Sequence, residues 1–487
     1  MPTREDLVAA IPNALVRTDL PGLGACQPGK VRDAYQIGGG CRLIVSTDRF
    51  SAFDRVLGAI PYRGEVLNRL SAWWFERTAD IVPNHLVTLP HAAAMVCREA
   101  DVLPVEVIVR GYITGVTDTS LWTLYERGVE RPYGLELPAD LQKNDRLPEP
   151  VITPTTKAAP GEHDARLTEA EIVERGLVSA ERWTEVREAA LALFRRGQTL
   201  AEAAGLVLVD TKYEFGLVDG ALTLIDEVHT PDSSRYWLAE DVPLAREQGR
   251  EPEGFSKEFL RRWLKDAGYR GEGAAPELPA ALLAQAAERY IAVFERLTGE
   301  RFEPSAEPRS AGLAMAVGGL GGPAPMVPII MGSRSDLAHG EKIRSSLAKF
   351  GVRGEIRVAS AHKAPRYLLT LLEAYERDPA PKVYVTIAGR SNALSALVDT
   401  QVSAPVIASP PYSDRYGGAD IFSSLRMPSG VAPAVVLDPE GAALVAVKIL
   451  AVRDPRLRWR IQHHSATMAA GIARDDGLTL RQAGEEA

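Results

Sequence analysis

Residues 207–237 read VLVDTKYEFGLVDGALTLIDEVHTPDSSRYW. Residues 207–215 alternate like a strand, Asp219-Gly220 is a two-residue hairpin signal, and residues 221–225 form the return strand. Side chains two apart share a face. Asp210, Lys212 and Glu214 therefore line up, and pairing across the turn brings Asp226 toward them. Carboxylates and a lysine on one patch suit Mg²⁺ carrying nucleotide phosphates, with the lysine as counter-charge. A solvated hairpin face with a salt bridge explains the same spacing equally well.

Around this hairpin, residues 1–304 read as α+β with a largely antiparallel sheet. Residues 30–37 and 41–47 form a hairpin across Gly38, Gly39 and Gly40, and 106–112 is a further strand. Residues 68–80 and most of 166–205 are helical, whereas 131–165 is a long polar, Pro-rich loop of the kind that is functional or disordered. An amphipathic helix ends at Gly299, and residues 305–325, SAEPRSAGLAMAVGGLGGPAP, read as a flexible linker. Residues 326–487 alternate apolar strands with helices, the mark of a parallel, doubly wound three-layer sheet.

At 487 residues the chain holds more than one domain. Hydrophobic residues at 46% and charged residues at 25% are those of a globular protein. A net charge of −8 excludes a protein that coats nucleic acid, since no basic surplus exists to displace counterions. Cys26, Cys41 and Cys97 have no CxxC spacing, so neither zinc nor a disulfide framework is expected, and a reduced cytoplasm is. The N-terminus lacks an apolar core, and no stretch approaches the ~20 apolar residues of a membrane span, so neither a signal peptide nor a membrane partner is expected.

Ligands of open α/β sheets bind beyond the carboxyl ends of the strands. Three polar loops are expected there: GSRSD (332–336), SAHKAP (360–365) and AGRSN (388–392). Ser335 or Asp336 is placed to cap the next helix, whose amides favour a phosphate. His362, beside Lys363, is a proton carrier near neutral pH. Each loop alone reads as a capped surface turn; three together point to a phosphate-bearing ligand. In the first half, Lys30 leads into a strand, and Asp48, Ser51 and Asp54 share one short segment that an N-capped turn also explains. Arg110 ends an apolar strand, where a charge needs a partner or an anionic ligand. Thr155, Thr156 and Lys157 offer a grip for a carboxylate, and Arg235 follows the acidic hairpin closely enough to face the same cleft.

The strings MGSRSD, SAHKAP, AGRSN and SSLRMPSG closely resemble the phosphoribosylaminoimidazole (AIR) carboxylase family of purine biosynthesis. The resemblance implies a flavodoxin-like fold, a homo-oligomer (an octamer in the family) and no organic cofactor. It implies that Ser333 and Asp336 hold ribose or phosphate, and that Ser335, Ser360, Arg390, Ser391 and Asn392 complete the ribotide site. His362 would shuttle the proton at the carbon that gains CO₂, and Lys363 would favour the new carboxylate. Lys363 and Arg390-Ser391-Asn392 resemble the class that adds CO₂ directly, rather than the class that rearranges an N-carboxylated AIR.

GKVRDAY, STDRFSAFD, LPVEVIVRGYITG, TPTTKA, DTKYEFG and IDEVHTPDSSRYW closely resemble phosphoribosylaminoimidazole-succinocarboxamide (SAICAR) synthetase, which joins aspartate to carboxyaminoimidazole ribotide with ATP. The resemblance implies that Lys30 and its loop bind ATP phosphates, that Lys212 and Glu214 lie at the nucleotide, and that Glu214 and Asp226 bind Mg²⁺. Arg110, Asp210 and Arg235 would hold the ribotide. Asp48, Ser51, Thr155, Thr156 and Lys157 would take the imidazole carboxylate or aspartate. The expectation is a bifunctional enzyme. Two other readings stand beside it: a second half that is an N-carboxy mutase, or one that is a non-catalytic oligomerisation scaffold.

Overall fold

The computed structural model describes residues 2–476 apart from 21, 54, 118, 158–164, 256, 307–308, 319, 455, 463, 466, 470 and 473–475. Asp54 and part of the 131–165 segment thus lie outside the described residues. The chain divides into two compact units, Met1–Val317 and Gly318–Ala487.

In the first unit the hairpin forms as its alternation dictates. Leu206–Val218 pairs antiparallel with Ala221–Ile225. Asp219 (φ 53°) and Gly220 (φ 79°) carry the two positive φ angles that a tight hairpin turn requires. The long strand is central: Asp101–Tyr112 flanks it on one side, Ala221–Ile225 and Ser234–Leu238 on the other. These belong to a six-stranded antiparallel sheet. Arg146–Ile152, a strand of the same sheet, occupies part of the segment read as loop. Its Pro148 and Pro150 masked the alternation. A second, five-stranded antiparallel sheet contains Arg32–Gly38 and Cys41–Ser46.

The Arg63–Arg77 helix starts five residues earlier than its sequence pattern indicates. The cause is a close approach: a Cβ on Gly64 would stand 2.2 Å from the Ser46 carbonyl oxygen, so only glycine lets the helix begin there. Its Trp74 and Phe75 pack in one core with Phe194 of the Ala180–Ala203 helix and with Tyr290 and Phe294 of Ala280–Thr298.

The stretch 305–325 is not uniformly structureless. Arg309–Val317 is a helix, and Arg309, Leu313 and Val317, four apart on one face, are all buried against the first unit. The glycines that suggested a linker lie beyond it. Residues 321–324 are exposed. Limited proteolysis is therefore expected to cut within 320–325 and spare 309–317, leaving a first piece that stays folded. Mass analysis of the early fragments checks this, and early cleavage inside 309–317 would contradict it.

In the second unit five parallel strands run in the order Arg353–Val358, Met326–Met331, Tyr384–Ile387, Val406–Ala408, Ala434–Val435. This is the 2-1-3-4-5 order of flavodoxin-like sheets. Val327, Ile329 and Met331 face one core with Ala442, Ala446 and Val447, while Met326 and Ile330 face another with Leu368 and Leu372. Helices thus cover both faces. Among the described residues no helix is long and apolar enough to cross a membrane.

Candidate active sites

Strand register builds the first site. On the central strand, Asp210 stands opposite Arg110 on one neighbour and Arg235 on the other. Its carboxylate accepts from Arg110 at 2.7 Å and pairs with Arg235 at 3.1 Å. Burial works to lower the Arg110 pKa, and Asp210 opposes it. Two residues along, the Lys212 ammonium donates to Glu106 at 2.6 Å and to Glu214 at 2.7 Å. Lys157 binds the other oxygen of Glu214. Burial would raise the Glu214 pKa, but Lys212 and Lys157 outweigh it and hold it at about 2. Burial likewise works against the Lys212 cation, and Glu214 and Glu106 raise its pKa above the ordinary lysine value.

A cavity of about 190 Å³ opens over this face. Arg110, Lys212, Arg235, Lys257 and Arg261 line it against Asp210, Asp232 and Glu258, so a chain that is acidic as a whole presents a basic cleft. Such a cleft takes an anionic ligand. Beneath it Asp232 accepts from Arg63, Lys257 and Tyr290. Asp226 stands next to Ile225, the register partner of Glu214, and is paired with Arg32. Arg32 also reaches Glu227, so the segment after Lys30 meets the acidic hairpin. Thr155 and Thr156 pair with Glu106 and Val105 beside Lys157. Ser51 lies half-buried on Arg49–Ala52.

Asp48 requires correction. It is 1% exposed and does not face the cleft. Its oxygens accept from the Leu15 amide at 2.8 Å, the Gly64 amide at 2.9 Å and Arg309 at 2.7 Å. It caps the Arg63–Arg77 helix from outside, where a carboxylate is stabilising. Asp48→Ala is therefore expected to cost roughly 3–5 kcal/mol, because it strands a buried guanidinium. Denaturant unfolding measures it, and a loss under 1 kcal/mol would contradict the assignment.

The residues missed in the sequence are Glu106, Arg32, Asp232 and Lys257. Glu106 was visible as the one acid in LPVEVIVR; its partner on the next strand gives it meaning. Lys257 comes from a later helix approach and carries no sequence signal.

In the second unit the three polar loops close on one cavity of about 550 Å³, lined by Ser333, Ser335, Asp336, Ser360, His362, Lys363, Arg390 and Ser391 among others. The Ser333 hydroxyl accepts from the Ser335 amide at 3.2 Å and from its hydroxyl at 2.8 Å. Asp336 begins the Leu337–Lys349 helix without a side-chain cap, and its carboxylate, which accepts from the Ser335 hydroxyl at 3.3 Å, lines the cavity. Burial raises its pKa. The Ser360 hydroxyl accepts from the Lys363 amide at 3.3 Å, which fixes the turn that presents His362. Arg390 sits at φ 57°, a strained left-handed position that turns the loop tip into the cavity.

Asn392 also requires correction: it is 3% exposed and does not line the cavity. Its carbonyl accepts from the Ser395 amide, capping Ala393–Asp399, and its amide donates to Ser424. It ties down the loop rather than touching a ligand. Among the described residues no group of three His, Cys, Asp or Glu forms a metal-binding cluster.

The SAICAR synthetase family model matches residues 25–277, and the AIR carboxylase family model matches residues 326–470. A putative phosphoribosylaminoimidazole-succinocarboxamide synthase 2 of Agrobacterium fabrum is 48% identical over 286 residues, 58% of this chain and 90% of that protein. The solved SAICAR synthase of Saccharomyces cerevisiae complexed with SAICAR is 31% identical, with a TM-score of 0.52 over 60% of this chain and all of its own. Treponema denticola PurE is 48% identical over 31% of this chain and 97% of its own, with a TM-score of 0.31. The chain belongs to the SAICAR synthetase family through its first unit and to the AIR carboxylase family through its second, and is a bifunctional enzyme of purine biosynthesis.

Proposed function

We propose that the second unit adds CO₂ directly to AIR and that the first ligates aspartate to the product, through an acyl phosphate, to give SAICAR. The observation that carries the reading is the closure of three strand-end loops on one cavity holding His362 and Lys363, in a chain that also holds a basic cleft beside Glu214.

In the second unit Ser333, Ser335 and Asp336 hold the ribose phosphate end, with Ser360, Arg390 and Ser391 around the ring. The ring carbon forms its bond to CO₂ and its proton passes to His362. Lys363 offsets the charge of the new carboxylate. No bond to phosphate changes, so the step needs no nucleotide.

In the first unit Arg110 and Arg235, held apart by Asp210, take the ribotide. Lys30 and its loop take the ATP phosphates. A carboxylate is a poor electrophile, so its oxygen first accepts the γ-phosphoryl group and ADP departs. The aspartate α-amine then attacks the acyl carbon, phosphate leaves, and the amine loses a proton. Ser51, Thr155, Thr156 and Lys157 lie along the edge where that carboxylate or aspartate would rest.

Glu214 and Asp226 are the acids that would hold Mg²⁺, an ion that uses one or two carboxylates plus substrate phosphates rather than a full protein cage; Lys212 and Lys157 pair with Glu214, and Arg32 pairs with Asp226. When bound, Mg²⁺ offsets the charge of the transferring phosphoryl group. Lys212, kept charged by its two glutamates, acts beside it.

Self-association through the second unit belongs to this reading, supported by the exposed Tyr412, Phe422, Leu425 and Val452. So does a cytoplasmic setting, supported by three free cysteines. The test is purified protein with AIR, bicarbonate, aspartate and Mg-ATP, products followed by mass. SAICAR, dependent on all four, supports the reading. Carboxylated ribotide without SAICAR, or neither, overturns it.

A further inference from the structure

Arg309 lies near the end of the first unit, in a stretch whose composition reads as linker, yet it is 2% exposed. It donates to Asp48 at 2.7 Å and to the Asn13 carbonyl at 2.8 Å, and its guanidinium lies over the Tyr62 ring at 4.6 Å. Asp48 is the middle of three consecutive residues whose neighbours hold the loop before Arg32–Gly38. Thr47 donates its amide and hydroxyl to the Val31 carbonyl, at 3.0 and 2.7 Å. Arg49 donates to the Gly29 carbonyl at 2.9 Å and the Lys30 carbonyl at 3.2 Å, and pairs with Asp33. The loop's carbonyls are thus tied back on both sides of Asp48, and the Gly29 amide closes the turn by donating to the Arg32 carbonyl at 2.7 Å. Asp48 itself is held at its carboxylate by Arg309.

We infer that Arg309 is a positioning residue for nucleotide binding: through Asp48 it fixes the Thr47–Arg49 segment that shapes the Gly29–Val31 loop. The inference rests on reading that loop as the site of the ATP phosphates. The helix Arg309–Val317 is then a working part of the ligase rather than spacer, seated by Arg309, Leu313 and Val317. A coupling between two sites is reciprocal. If Arg309 shapes the nucleotide loop, nucleotide must in turn steady the helix that carries Arg309.

The test uses the full chain. Arg309→Ala leaves Asp48 buried without its cation and risks the fold. A double variant, Arg309→Met with Asp48→Asn, removes both charges and avoids that penalty. Expected for the double variant is a KM for ATP raised about tenfold, with kcat within about twofold and the KM for carboxylated ribotide unchanged. Wild-type hydrogen exchange over residues 309–317 should slow on addition of Mg-ADP. A structural role alone would lower the active fraction, and so kcat, with the KM for ATP untouched; that result overturns the inference, as does exchange that ignores the nucleotide. Lys30→Ala separates the two readings. If it weakens nucleotide binding while the double variant does not, only the positioning role falls. If neither weakens it, the loop is not the phosphate site.

Discussion

His362→Asn is expected to slow carboxylation of AIR, and the reverse decarboxylation, by a factor on the order of 10²–10⁴, the usual loss of a general acid/base. The cavity places the groups for this. His362 leads the Ser360-based turn at the start of the Pro365–Arg377 helix, facing the same cavity as Ser333 and Asp336 on a different loop. The ribose phosphate is assigned to Ser333, Ser335 and Asp336, on a different loop from His362, so the KM for AIR should change little. The ligase step, supplied with carboxylated ribotide, should run at the wild-type rate. Wild-type protein should convert AIR with CO₂ in the absence of nucleotide. Turnover only of the N-carboxylated isomer in CO₂-free buffer would assign the second unit to the mutase class. Equal rates for wild type and His362→Asn would remove His362 from the chemistry.

The second unit was almost wholly legible because each of its parts is local. Apolar runs of strand length alternate with helices, and the topology of parallel sheets puts successive loops at one end. The three polar loops could therefore be placed together without knowing any long-range contact. The acidic hairpin was legible for the same reason, its register following from a two-residue turn. What failed depended on distant partners. Asp48 received a ligand role only through the family resemblance, and nothing in its short polar segment shows that Arg309, far along the chain, takes its carboxylate. Arg309–Val317 looked like linker because alanine and glycine carry little periodic signal, and one buried guanidinium supplies what the composition lacks. Asn392 ended a motif string whose Arg390 and Ser391 line the cavity, but its own side chain is buried in capping the next helix.

Glu214→Gln and Asp226→Asn are each expected to lower the ATP-dependent ligation by a factor on the order of 10³ or more, the scale on which charge-stabilising groups act in phosphoryl transfer. Carboxylation by the same molecules should be untouched, which makes the second unit an internal control. Glu214 is 8% exposed, and its two oxygens are divided between Lys212 and Lys157. The glutamine keeps the shape and removes the charge, so the lysines lose their common partner. A pH experiment tells that loss apart from general damage. The Glu214 pKa is depressed in the folded protein, from the ordinary 4.5 to about 2, so its ionised form stabilises the fold above 4.5 and that contribution is lost as the pH falls toward 2. The gap in Tm between wild type and Glu214→Gln should therefore be widest at neutral pH and close on acidification through that window. Asp226→Asn adds the metal arm: if Asp226 holds the ion, the Mg²⁺ concentration needed for half-maximal ligation rises. Normal ligation in both variants would dismiss the hairpin as the phosphoryl-transfer site, and a Tm gap independent of pH would show that folding leaves the Glu214 pKa unshifted.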